Sequence, residues 1–505
     1  MTAALRAAIA RAQEAESPPE QVYSPLRALG RRRLTLVDLI GQSLSTIAPA
    51  TGMVFIALWI TAYRPGVGGV LVIGATTAAV ALVALCITQF TRRLAAAGSL
   101  YSFVFQGLGA RAALATGTAL VVGYLGISIS VMSQAAGSLL DIADLLGLRL
   151  DGPAPWVLTI AVLAAVVGAI AVRGVRFATR AILVVESLSL VLIVAIMIGT
   201  PTGTAPAGAH LPPTPVSLLP FLAMLTVLSM AGFESAAFFG PEAKRPLVTV
   251  TRTVLVSPVL VGILFVFAAT ASLLGHGSVI VGAYFDGTAS GASWGVVLAV
   301  KAGMACSWFA QAGSRLLYSM GVERILPPAL SRVHRRFRTP HVAVALFSSA
   351  SLTGAAVYAL WAQADSAVFD GVVEVGLVTA YTLVAFASLR FLRRIGEHTA
   401  TTRAAAVFVT VLGAGLLACL AVDGTVHDVW MVPATLTLVG SSGVLWHELL
   451  RRSRPDSLAT VGAFDSVETA DILPGAGVLV VDEDGRRRIV ATAGHGVRQA
   501  RDGER

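Results

Sequence analysis

The sequence predicts an all-α polytopic membrane protein with twelve transmembrane helices, and three observations predict it. Of its 505 residues, 56% are hydrophobic and 13% charged, against roughly 25% charged in an ordinary soluble domain. With a mean hydropathy of +0.79, too few charges remain to clothe the cores of a soluble chain this long. Twelve apolar runs match the length of about 20 residues that a bilayer core demands of a helix. When those runs are taken as spans, 34 of the 37 basic residues fall on one side.

The runs start near Leu34, Gly68, Ala112, Pro155, Ala181, Val216, Val254, Ser293, Val342, Asp370, Ala404 and Val429. Residues 1–33 form a polar tail, and the first run is too long and too polar at its entrance for a cleavable signal peptide. Only Arg64 and Arg149 lie in loops of the opposite side, and Lys301 lies within a span. Cytoplasmic loops are the ones enriched in Lys and Arg, so both termini are expected in the cytoplasm, with the body in the cytoplasmic (inner) membrane. The formal +9 then divides into +18 inside, −6 outside and −3 in the spans. Positive charge that faces an anionic leaflet carries no implication of nucleic acid as a partner.

Spans one to five precede spans six to ten by a near-constant offset, as a duplicated unit would. Five is odd, so the second copy is expected to be inverted in the membrane. The expected divisions are a first five-helix repeat over 34–199, an extracellular Pro-rich linker over 200–215, a second repeat over 216–392, two further helices over 404–450 and a cytosolic tail over 451–505. Within that tail, GVLVV and RRRIV flank the turn signal Asp484-Gly485, the outline of a small hairpin. Cys86, Cys306 and Cys419 sit in apolar runs without paired spacing, so neither a disulfide framework nor a metal is implied, and no cofactor is expected.

Span one carries Gly41, Gln42, Ser43, Ser45, Thr46 and Pro49 at mid-membrane. A proline there frees backbone groups, and irregular backbone at such depth is tolerated where it lines a protein cavity. Span six has the matching interruption around Gly232, Phe233 and Glu234. Paired interruptions in two repeats point to a transporter's binding site. Bare N–H groups of the second half-helix suit a carboxylate, and freed carbonyls suit an amine.

These residues resemble the amino acid, polyamine and organocation (APC) transporter superfamily from about Leu34 to Leu450. Ala97-Gly98-Ser99-Leu100-Tyr101 is similar to that family's Gly-Gly-x-Tyr segment, with Ser99 in place of the second glycine. Gly232-Phe233-Glu234 with Glu242-Ala243-Lys244-Arg245-Pro246 resembles its span-six signature, and Ser314 to Tyr318, Leu326-Pro327 and Thr339-Pro340 resemble its loop after span eight. The resemblance implies a LeuT-type fold of five plus five inverted helices with two more, an amino acid permease working by alternating access, and symport or antiport. Where the family usually carries Gly-x-Gly-Ile, this chain has Gln42, Ser43, Leu44 and Ser45, which leaves a decarboxylated amine open as substrate.

Gln42, Ser43, Ser45, Thr46, Gly232, Phe233 and Glu234 are therefore the expected substrate-binding set, with Tyr124 and Trp308 as aromatics able to cap the site or simply to pack. Glu234 is read either as a partner of the freed backbone or as a receiver of a substrate amine. Lys301 is expected near the midplane, with Glu186, Glu234 and Glu374 as counter-charges. It would carry the coupling proton or serve as a fixed structural ion. Asp38 is assigned to the helix start and Arg315 to a solvated position at the cytoplasmic end of span eight.

The expected partners are thus a small amino acid or amine, a coupling proton or counter-substrate, and the bilayer. A polyamine exchanger or a membrane sensor signalling through the tail are the alternatives. The chain has no Walker A sequence, and its dispersed histidines form none of the usual catalytic spacings in the spans, so no enzyme activity is expected.

Overall fold

A computed structural model describes residues 34–96, 98–150, 152–199, 218–285, 294–305, 311–361, 366–462, 477–481 and 487–491. The linker 200–215, Trp308, Cys306 and the Asp484-Gly485 turn lie outside the described residues. Proline and glycine punctuate nearly every helix. Span one is two helices, α1 (Leu36–Ile47) and α2 (Pro49–Tyr63), the second starting on a proline whose missing N–H would be unpaired there anyway. Spans two to five are α3 (Gly66–Thr91), α5 (Ala110–Leu145), α6 (Pro153–Arg173) and α7 (Val175–Gly199), with a short helix α4 (Leu100–Leu108) before α5.

Span six is α8 (Leu218–Met230) followed by a 3-10 stretch, Phe233–Glu242. Then come α9 (Pro246–Leu273), α10 (Ser278–Phe285), α11 (Trp294–Ala305), α12 (Gln311–Val322), α13 (His341–Trp361), α14 (Ser366–Arg394), α15 (Ala400–Val426), α16 (Met431–Ser453) and the short α17 (Pro455–Thr460). Among the described residues, ten helices are long and apolar enough to cross a membrane, two fewer than the twelve expected. The eighth expected span is described as α11 and α12 on either side of residues 306–310. The twelfth, α16, is diluted by Ser441, Ser442, His447 and Glu448.

The membrane body is the all-α, LeuT-type arrangement expected. Span one packs on span six, α3 on α9, α5 on α11 and α6 on α13, so four equivalent pairs from the two sets of five meet each other. The extra helices α15 and α16 pack on α14 and on α3 and α5 respectively. Small residues permit the closest crossings: a Cβ on Gly376 of α14 would lie 2.7 Å from the Ala119 carbonyl oxygen of α5. In lipid such close packing replaces the hydrophobic drive between helices. Strands β1 (Gly477–Val481) and β2 (Arg487–Ala491) pair antiparallel, Gly477 opposite Ala491 and Val481 opposite Arg487.

Candidate functional site at the two helix breaks

The break in span one begins where α1 stops at Ile47 and Ala48 turns left-handed, φ 50°. Pro49 cannot donate to the preceding turn, so carbonyls near the end of α1 are left over. The Ser45 hydroxyl donates to the Gln42 carbonyl at 2.9 Å, and the Thr46 hydroxyl lies 2.7 Å from the same oxygen. Two of the expected hydroxyls thus bond back to their own helix. Ser43 instead reaches across to span six and donates to the Phe233 carbonyl at 3.2 Å.

The two breaks touch. Gly232 has φ 100°, and a Cβ there would lie 2.0 Å from Thr46 Cγ2, so only glycine fits both the backbone and the space. The Thr46 and Ser235 hydroxyls are 2.9 Å apart. At the edges, the Leu34 N–H donates to the Glu242 carbonyl and the Lys244 N–H to the Leu34 carbonyl, each at 2.9 Å, tying the start of span one to the end of span six.

Glu234 is fully buried and joins three spans. One carboxylate oxygen accepts the Tyr124 hydroxyl at 2.6 Å and the other accepts the Gly232 N–H at 3.2 Å. The Tyr381 hydroxyl lies 3.1 Å from both. Phe233 packs beside Tyr381, with ring centroids 5.6 Å apart, and Tyr124 meets Phe238 edge-on at 5.7 Å. Sequence reading missed Tyr381. Its one signal was a hydroxyl two helical turns beyond Glu374 in span ten.

Glu186 of α7 accepts the Ala50 N–H at 2.8 Å, so a carboxylate of the chain itself fills the N-terminal end of α2. It is 3% exposed. The Gln42 Nε2 donates to Thr46 Oγ1 at 3.4 Å, while Gln42 Oε1 is buried without a hydrogen-bond partner among the described residues. Among the described residues that oxygen is a free acceptor on α1, just over one turn before the break. Glu374 is also buried, on α14 one helical turn beyond Asp370.

Two charge placements correct the sequence reading, and a third adds to it. Lys301 pairs with none of Glu186, Glu234 and Glu374. Its Nζ donates to Asp141 at 2.6 Å and to the Tyr284 carbonyl at 2.6 Å. Asp141 lies one turn from the end of α5 and its side chain is 51% exposed, so the long lysine stem reaches the membrane edge rather than the midplane. Arg315 is not solvated: it is 3% exposed, 2.8 Å from Glu242 and stacked over the Phe239 ring at 5.0 Å. Asp38 accepts from Thr35 in a capping box, as expected of a helix start, and also from Arg180 Nε at 2.9 Å.

Both buried cations are therefore held by carboxylates of their own. Among the described residues, the ionisable side chains placed at the breaks are the carboxylates Glu186 and Glu234, with two tyrosine hydroxyls. Among those residues the region is rich in acceptors and poor in fixed positive charge, and it suits a ligand that brings hydrogen-bond donors.

Comparison with known proteins agrees with a transporter. Over 391 residues the chain is 24% identical to the methylthioribose transporter of Bacillus subtilis (strain 168), covering 70% of this chain and 81% of that protein. Among solved structures it is similar to Mhp1, a nucleobase-cation-symport-1 family transporter in a closed conformation with bromovinylhydantoin bound. That likeness has a TM-score of 0.48 at 14% identity, covering 87% of this chain and 97% of the other. Residues 34–441 match the family described as amino acid permease. The chain is a multi-pass membrane transporter of a small molecule, and it belongs to the amino acid permease family of the APC superfamily.

Proposed function

We propose that the protein is a secondary active transporter that moves amino acids across the cytoplasmic membrane by alternating access, driven by protons or by exchange. The observation that carries this reading is the pair of broken helices packed on each other, with the buried Gln42 Oε1 beside the first break unpartnered among the described residues. Substrate would sit at this junction, bounded by Ser43, Phe233 and the Glu234–Tyr124–Tyr381 group, while the two five-helix units rock about it. The termini and the arginine-rich loops face the cytoplasm in this reading. Uptake of labelled amino acids into proteoliposomes under imposed pH and sodium gradients tests it. Loss of all gradient-driven uptake and of all exchange across the amino acid panel would overturn it.

One observation favours a second reading, a carboxylate-free amine as substrate. The N-terminal end of α2, the natural seat for a substrate carboxylate, already holds Glu186. Matched pairs of amino acids and their decarboxylated amines in the same uptake assay separate the two. An amine preferred over its parent acid supports this second reading; the reverse supports the first.

A further inference from the structure

The chain beyond span twelve returns to the bundle. After Arg454 it forms α17, in which Ser457 is 5% exposed, and then buries Val461 at 1% exposure. It lands at the cytoplasmic end of span eight, on the turn that follows α12, where the N–H groups of Glu323, Arg324, Ile325 and Leu326 already bond the last helix carbonyls and leave the turn's own carbonyls facing the returning chain. The Ser457 hydroxyl donates to the Arg324 carbonyl at 3.2 Å and the Thr460 hydroxyl to the Glu323 carbonyl at 2.7 Å. The returning segment thus pins the turn that follows the helix.

Glu323 connects the segment to a third element. One of its carboxylate oxygens accepts the Gly462 N–H at 2.9 Å. The other accepts the Tyr101 hydroxyl at 2.7 Å. Tyr101 lies on α4, the short helix between spans two and three, and both Tyr101 and Glu323 are essentially buried. One turn further along α4, Phe105 covers Gly462. Gly462 has φ 67°, and a Cβ there would come within 2.2 Å of the Phe105 ring. Only glycine lets the chain turn at this place and approach so closely. Tyr101 ends the Ala97–Tyr101 motif, and the helix break accounts for none of that motif.

We propose that residues 455–462 are a latch. They hold the turn at the cytoplasmic end of span eight and, through Glu323 and Phe105, clamp α4 against it. The cytoplasmic face changes shape only when this segment lets go. The effect on uptake rests on the transport reading above; the effect on local opening does not.

Hydrogen–deuterium exchange on the full chain, on the chain ended after Ser453, and on a Ser457→Ala/Thr460→Val variant tests this. The double variant loses two hydroxyls while leaving Val461 and Gly462 in place. In both altered chains, exchange over 100–108 and 320–326 should rise about tenfold while α6 keeps its rate, the mark of local rather than global opening. The initial uptake rate should change several-fold in step. Unchanged exchange over 100–108 in the double variant, or a rise spread equally over α6, overturns the latch. If even the unaltered chain shows no uptake, the transport reading falls and the exchange data still decide the latch.

Discussion

The Glu186 carboxylate of span five accepts the backbone N–H of Ala50 at 2.8 Å, across the break in span one. A proline start leaves the first N–H groups of α2 exposed in a region without water, and each needs an acceptor. An acid on a neighbouring helix provides one and also satisfies the partial positive charge of the helix end. Replacing Glu186 by Gln keeps an acceptor oxygen, and thermal unfolding in detergent should stay close to that of the unaltered chain. Glu186→Ala leaves the N–H buried and unpaired, which costs about 1–3 kcal/mol. If Glu186 carries the coupling proton, the Gln variant exchanges substrate normally and no longer responds to an imposed pH gradient.

Glu234 is held by two tyrosines from different spans, so its donors form one unit. Tyr124→Phe and Tyr381→Phe should each lower stability by about 1.5–3 kcal/mol, the range for hydrogen bonds to charged groups. The double variant should depart from the sum of the singles, because the two hydroxyls share a carboxylate. Unfolding of the four proteins of the cycle measures this. Additive losses would show that the tyrosines act independently.

Gly232→Ala places a methyl where Thr46 Cγ2 already sits and forces an alanine to φ 100°. The variant should lose uptake and fold poorly. Thr46→Ser removes the colliding methyl, so the Thr46→Ser/Gly232→Ala double variant should regain part of the folded yield, measured as monodisperse protein on size exclusion. The remaining deficit is the backbone strain, about 1–3 kcal/mol for a residue held in such a region.

The two ion pairs should respond differently to loss of one partner. Arg315 and Glu242 are both nearly inaccessible, and Arg315→Ala strands a buried carboxylate at a cost of about 3–5 kcal/mol. Asp141 is half exposed, so the coupling of Lys301 to Asp141 in a double-mutant cycle should be about 0.2–1 kcal/mol. Lys301→Met should therefore transport with an unaltered pH profile. A profile that flattens in this variant would return Lys301 to a coupling role.

Much of the architecture was legible because its causes are local. Hydropathy marks a span residue by residue, and Pro49 and Gly232 break helices wherever those helices lie. The pairing of the charges was not legible. Helices such as α3 and α9 are apolar on nearly every face, so no stripe tells which side meets a neighbour. Lys301 illustrates the consequence. Depth counted along one helix placed it near the midplane, yet the lysine stem spans several ångströms and Asp141 of another helix set its direction.

Ser99 and Tyr101 show the same division within one motif. Ser99 stands where the resemblance leads one to expect glycine, and its φ of 49° explains that preference through backbone sterics alone. The partner of Tyr101, Glu323, is 222 residues away and could be found only once the chain was folded. By itself the sequence determined that this protein spans a membrane many times, where two of its helices break and which family it belongs to, since each follows from composition, proline and glycine placement, or ordered motifs. Only the tertiary structure decided that Glu186 fills the end of α2, that Tyr381 joins Tyr124 on Glu234 and that the chain after α16 folds back onto the turn after α12. Buried charges and donors must find partners, and which partner is within reach depends on helix packing that no local pattern encodes.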